Sequence, residues 1–156
     1  MFTLTLIEPE IPPNTGNIAR LCAATGTRLE VVGPIGFSMD DKAVKRAGLD
    51  YWDQVDLLRI LDKASFLDGL NPEQCHFFST KALTPYHQAK YQPGDRLIFG
   101  AETRGLGPEI LARFAHKTVL VPIFNPKVRS LNLSNTAALA LYEALRQTGA
   151  LDQPCW

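Results

Sequence analysis

Phe2-Thr3-Leu4-Thr5-Leu6-Ile7 opens the sequence, followed by Glu8-Pro9-Glu10-Ile11-Pro12-Pro13-Asn14 and, after a helix-patterned run, by Arg28-Leu29-Glu30-Val31-Val32. The first segment alternates apolar and polar residues and is rich in β-formers, which predicts a strand. Three prolines exclude regular pairing in the second, so it is a loop. Asn14 can cap the helix that follows. Ile18, Leu21, Cys22 and Thr25 mark one face of that helix at the i, i+3, i+4, i+7 spacing, and Gly26 stops it. Arg28 to Val32 is then a second strand.

The same alternation continues outward. Asp40 to Ala47 and Leu57 to Leu67 have helical patterns, ended by Gly48 and Gly69. His76 to Ser79 and Leu97 to Phe99 are short apolar strands that run into polar or glycine-rich loops. Pro108 suits the first turn of a helix over Glu109–Phe114. Thr118 to Val121 is another strand, followed by the irregular Pro122–Arg129. A last helix, near Leu133 to Gln147, aligns Leu133, Ala137, Leu141, Ala144 and Leu145 on one side. Leu139 and Ala140 widen that surface, which predicts burial against more than one neighbour. Strands alternating with helices place the chain in the α/β class with a parallel sheet. Ligands bind such sheets beyond the carboxyl ends of the strands, so the chemistry belongs after Ile7, Phe78, Phe99 and Val121.

Composition bounds the rest. The 156 residues match one domain, 1–156, without a repeat or linker. A chain of this size buries roughly 68–70% of its unfolded surface and needs no staples. With 46% hydrophobic and 21% charged residues it is globular. Sixteen Lys+Arg balance sixteen Asp+Glu, which excludes a generic polybasic coat but leaves room for a local basic face. The amino end has no basic n-region, and no run reaches the ~20 apolar residues of a membrane span, so a cytoplasmic protein without membrane contact is expected. Cys22, Cys75 and Cys155 lack metal-ligand spacing and read as small hydrophobes in a reducing compartment. His76, His87 and His116 show no paired spacing. No metal is expected.

Three segments hold more polar residues than turns require. Asn14-Thr15-Gly16-Asn17-Ile18-Ala19-Arg20 starts a helix, where free N–H groups favour an anion; Arg20, nearly two turns on, is read as facing the same side as Asn14. In Phe99-Gly100-Ala101-Glu102-Thr103-Arg104-Gly105-Leu106-Gly107, a strand enters glycine directly and a carboxylate follows. A glycine there lets a ligand approach the backbone closely. The spacing is neither a P-loop nor GxGxxG. Arg129-Ser130-Leu131-Asn132-Leu133-Ser134-Asn135 puts several small polar side chains at a helix mouth, either for local capping or for a polar ligand.

Taken together and in this order, the three segments resemble the motifs of SPOUT-class 2′-O-ribose methyltransferases. The opening Glu8-Pro9-Glu10-Ile11-Pro12 with Asn14-Thr15-Gly16, and Gly48-Leu49-Asp50-Tyr51, are similar to the TrmL (YibK) group. The resemblance covers essentially the whole chain. It implies an α/β, parallel-sheet SPOUT fold with a C-terminal deep trefoil knot. It further implies methyl transfer from S-adenosyl-L-methionine to the wobble ribose 2′-hydroxyl of cytidine or uridine 34, in leucine tRNAs, with the tRNA anticodon stem-loop as partner. Carried over by position, the catalytic residues are Arg20, Asn14, Glu102 and Asn132. The cofactor lies against Phe78, Gly100, Val121, Pro122, Ile123, Ser130 and Leu133. The resemblance also implies a homodimer whose first and last helices form much of the interface. Tyr142, on the helix side near Leu139, is read as meeting either the partner or the cofactor region.

Arg20, Arg28, Lys42, Lys45, Arg46, Lys81, Arg104, Lys127 and Arg129 are expected on one face for RNA, with Asp53, Asp56, Asp62 and Asp68 elsewhere. Two other functions compete: a methyltransferase of the same fold acting on another tRNA or rRNA ribose, and a non-catalytic RNA-binding module.

Overall fold

The computed structural model describes residues 1–39, 42 and 49–152. Seven strands form one sheet: β1 (Thr3–Ile7), β2 (Arg28–Val32), β3 (Leu57–Ile60), β4 (Cys75–Phe78), β5 (Thr84–Pro85), β6 (Arg96–Phe99) and β7 (Thr118–Leu120). Their order is β3-β2-β1-β6-β4-β7-β5, and every pairing is parallel. The described α-helices are α1 (Pro12–Thr25), α2 (Lys63–Asp68), α3 (Pro108–Arg113) and α4 (Leu133–Gln147).

Because strand side chains alternate, the central strands supply both layers of core. Leu4, Leu6, Leu29, Val31, Leu97 and Phe99 pack with Ile18, Ala19 and Cys22 of α1 and with Ala137, Ala140, Leu141 and Ala144 of α4. On the opposite face Ile7, Val32, Phe77 and Ile98 meet Leu67 of α2 and Ile110 of α3. Phe77 stacks on Phe114 there, with ring centroids 4.4 Å apart. Each fully buried side chain of this size contributes roughly 1.5–3 kcal/mol. Cys22 and Cys75 are buried as small hydrophobes, and burial pushes their thiols up to about 12 and about 11. Cys155 lies outside the described residues.

Several expectations hold closely: β1, β2, β4, β6 and α4 appear where their patterns place them. Leu57 to Leu67 is a correction, since it is no single helix. Leu57–Ile60 pairs with β2 as an edge strand, and Asp62 then starts the short α2 by accepting from the Ser65 N–H and hydroxyl. The apolar run fits either period, and the cap at Asp62 is the local signal that divides it. Gly69 ends α2 with an ordinary helical φ of −83°. The helix read over Asp40–Ala47, with Gly48, Lys45 and Arg46, falls outside the described residues except for Lys42. Among the described residues no helix is long and apolar enough to cross a membrane, and no group of three or more His, Cys, Asp or Glu could hold a metal.

The starts of β4 and β6 hold a buried polar pair. His76 Nε2 lies 2.9 Å from Asp95 Oδ2, which also accepts the Gln92 N–H. Desolvation lowers the His76 pKa, against the opposing pull of Asp95, so folding favours the neutral ring. Below the ordinary histidine pKa of about 6.5 the unfolded chain therefore binds this proton first, and stability falls as pH drops. Urea midpoints at pH 7.5 and 5.5 are expected to show a larger acid loss in the wild-type chain than in His76→Gln. An equal loss in both would remove the ring from this pH dependence.

Candidate active site

The segments after β1, β4, β6 and β7 surround a cleft of about 770 Å³, within the ~300–1,000 Å³ range of small-ligand sites. These strands are neighbours in the sheet, so topology alone gathers loops that are distant in sequence. Of the anticipated site residues, Asn14, Phe78, Gly100, Glu102, Val121, Ile123, Ser130, Asn132 and Leu133 line the cleft. Pro122 lies between two wall residues without lining it. Ser79, Lys81, Leu106, Arg129 and Thr136 are among the other wall residues.

A hydrogen-bonded chain ties three loops together. Glu102 accepts from the Glu10 N–H (2.7 Å), the Ile11 N–H (3.1 Å) and Asn14 Nδ2 (3.1 Å). Asn14 Oδ1 accepts from Asn132 Nδ2 at 2.9 Å. Asn132 Oδ1 accepts from the Ser134 N–H and caps α4. The carboxylate only accepts, so it fixes which way the Asn14 amide points, and Asn14 in turn fixes Asn132. Asn14 is therefore not the cap of α1. Pro12 and Pro13 fill that helix's first turn, its cap residue is Ile11 without a side-chain bond, and Asn14 is freed to bridge the loops.

Two reciprocal contacts strengthen the junction. Glu10 accepts from the Thr103 N–H (3.0 Å) and hydroxyl (2.7 Å), and these bonds lower its pKa. Glu8 receives Arg104 on one oxygen and Lys63 on the other. Glu8 is also the one described non-glycine residue with a positive φ, 51°.

Gly100 lines the cleft and is also packed tightly against its own loop. A Cβ there would lie 2.1 Å from the Gly105 carbonyl carbon and 2.3 Å from the Leu106 nitrogen. The loop closes on itself through the Gly105 N–H to the Ala101 carbonyl, 2.8 Å. The space that a side chain would take is filled by the chain's own backbone, so glycine is required there for the loop to close.

Arg20 is the largest departure. Six residues turn a helix about 600°, which is about 120° short of two turns. Asn14 is accordingly buried while Arg20 is exposed and outside the cleft walls of its own chain. Its guanidinium lies over the Tyr51 ring, 4.9 Å from the centroid, and no described carboxylate pairs with it. Tyr51 belongs to the 3₁₀ turn Leu49–Gln54, whose Trp52 packs against the core. Sequence reading missed this partnership because a ring thirty-one residues away has no local signature.

Of the residues expected on a basic face, Lys45 and Arg46 lie outside the described residues, and the others divide. Lys81, Arg104 and Arg129 border the cleft. Arg28 does not: it starts β2, at the amino end of a strand whose carboxyl end faces the cleft side, and pairs with Asp56 at 2.8 Å. Asp62 caps α2 and Asp68 pairs with Arg113, so those carboxylates do lie elsewhere.

A three-layer parallel α/β architecture with an apolar–polar cleft over the carboxyl ends of four adjacent strands has its candidate site where open parallel sheets bind ligands. The chain belongs to the SpoU rRNA Methylase family, whose model matches residues 1–142. It is 50% identical over 151 residues to the tRNA (cytidine(34)-2'-O)-methyltransferase of Escherichia coli (strain K12), covering 96% of this chain and 95% of that one. A solved structure giving insights into 2-OH methylation of C/U34 on tRNA matches with a TM-score of 0.86 and 45% identity, over 94% of this chain and 95% of that one. The SpoU methyltransferase AviRb from Streptomyces viridochromogenes, in complex with AdoMet, shares the fold alone, with a TM-score of 0.81 at 23% identity over 93% of this chain and 57% of that one.

Proposed function

We propose that this chain methylates the 2′-hydroxyl of cytidine or uridine 34 in tRNA, leucine tRNAs foremost, using S-adenosyl-L-methionine. The observation that carries the reading is the Glu102–Asn14–Asn132 chain, which locks three loops around the cleft in a member of this family. The reading includes a cytoplasmic homodimer that grips the anticodon stem-loop. It also includes a deep trefoil knot at the C-terminal end. Support for the knot is that the segment after β7 walls the cleft beside the 79–81 and 100–106 loops before Asn132 meets Asn14.

The cleft suits this methyl donor. Val121, Ile123 and Leu133 give apolar walls for an adenine, while Ser130, Thr136 and the backbone around Gly100 offer polar edges. When bound, the donor supplies a methyl group on an electrophilic sulfonium. The protein's work is then to align the ribose oxygen with that methyl and stabilise loss of the hydroxyl proton. Arg20 is a poor base, because guanidinium keeps its proton to very high pH. In this reading Arg20 holds the adjoining phosphate and stabilises negative charge on the ribose oxygen, and the proton passes to phosphate or solvent. Asn14, Glu102 and Asn132 keep α1 and α4 in register with the cleft.

Since Arg20 sits off its own cleft, the reading has the ribose meet it across a dimer of first and last helices. Support comes from the apolar strip on α4, where Leu139 is 42% and Tyr142 47% exposed beside Leu151. A monomer by light scattering at micromolar concentration would sink the shared site. The activity itself is tested by incubating the protein with methyl-labelled donor and total tRNA, then mapping the product. A label at ribose 34 is expected. A label at another tRNA or rRNA ribose would move the substrate, and no transfer to any RNA would leave an RNA-binding module.

A further inference from the structure

We propose that Phe124 is a stacking platform for an unpaired nucleobase beside the reacting nucleotide, flanked by cations that hold its phosphates. The inference rests on reading the chain as an RNA methyltransferase and adds a specificity contact to it. Phe124 is 96% exposed, more than any other large apolar residue described. Folding of this chain leaves that apolar ring open to solvent. A singly exposed apolar residue is ordinary on a surface, so its surroundings decide the matter.

Those surroundings point to nucleic acid. Phe124 stands between Ile123 and Arg129, both walls of the cleft, so its loop forms the rim. The loop is ordered rather than slack: Asn125 Oδ1 accepts the Lys127 N–H and the Asn125 carbonyl accepts the Val128 N–H, each at 3.0 Å. Lys81, Lys127 and Arg129 are exposed and make no ion pair among the described residues. Other cations, such as Arg28, Lys63 and Arg113, are neutralised by carboxylates. Glu102, the carboxylate of the cleft wall, already accepts three N–H groups. An exposed ring on an ordered turn, bordered by unpaired cations, offers a π-face to a base and positive charge to the phosphates on either side. Single-stranded RNA is recognised in that way.

The test measures tRNA affinity by filter binding at fixed salt, S-adenosyl-L-methionine affinity by calorimetry, and oligomeric state by sedimentation. Phe124→Ala is expected to weaken tRNA binding about tenfold while the other two stay unchanged, and Phe124→Tyr to bind within about twofold of wild type. Lys127→Ala is expected to lower the slope of log affinity against log salt by about one. Unchanged tRNA affinity in Phe124→Ala, or equal loss in Phe124→Tyr, overturns the proposal. A matching loss of methyl-donor binding would make Phe124 a cover for the cofactor, and a change of assembly would make it a contact between copies; either overturns it. Failure of the underlying reading is seen separately, as absence of methyl transfer by the unsubstituted chain.

Discussion

Gly100→Ala is expected to destabilise the fold by at least about 3 kcal/mol and to abolish binding of the methyl donor. The added Cβ would sit 2.1–2.3 Å from three backbone atoms of Gly105 and Leu106. No rotamer change relieves backbone, so the 101–106 loop must move as a unit. Glu102 lies inside it and would carry its three N–H partners out of register. Leu106, buried against the α2–α3 face, would be displaced as well. Urea unfolding reads the first effect and calorimetric titration the second. Gly105→Asn is the control. Gly105 has a φ of +65° but nothing within 4 Å of a Cβ, and asparagine tolerates that conformation, so a loss under about 1 kcal/mol is expected. A mild Gly100→Ala would mean that the loop's close approach is not essential.

Gly100 also marks how far the sequence carries. A strand running straight into glycine signals that something comes close, but not what. The atoms that a Cβ would meet belong to the Gly105 carbonyl, five residues on, while Gly100 also lines the cleft. Periodicity found β1, β2, β4, β6 and α4 because burial on a known face dictates it locally. It failed at Leu57–Ile60, where an edge strand buried on one side has too few residues to separate a period of 2 from 3.6. Asn14 illustrates a different limit. Its place at a helix start is legible, yet its partners are 88 and 118 residues away, and the sheet order β1-β6-β4-β7 gathers the segments that carry them. Motif resemblance supplied those partners as a set; the hydrogen bonds explain why the set is Glu, Asn and Asn. The neutral overall charge is uneven in space: Asp56 and Asp68 pair with Arg28 and Arg113, while Lys81 and Arg129 at the cleft have no ion pair among the described residues.

Arg20 gives the second large effect. Arg20→Ala is expected to lower kcat about 10³-fold, with methyl-donor affinity within twofold of wild type, since removing one preorganised donor to developing charge costs about 10²–10³ in rate. Arg20→Lys should recover little, because an ammonium is a point charge without the planar fork that spans two oxygens. Tyr51 separates charge from orientation. Its ring lies under the guanidinium and makes no claim on its hydrogen-bond donors, so it restrains the plane of Arg20 while leaving the fork available. Such a contact is worth about 0.5–1 kcal/mol at an exposed site. Tyr51→Ala is therefore expected to lower kcat several-fold, and Tyr51→Phe, which keeps the ring, to restore it. A purely structural role for Tyr51 would instead shift the urea midpoint and leave kcat per folded protein alone. If Arg20→Lys turns over at a near-normal rate, the forked contact is not part of the chemistry and positive charge alone suffices. A Tyr51→Phe enzyme as slow as Tyr51→Ala would show that the hydroxyl, not the stacked face, is what Arg20 needs.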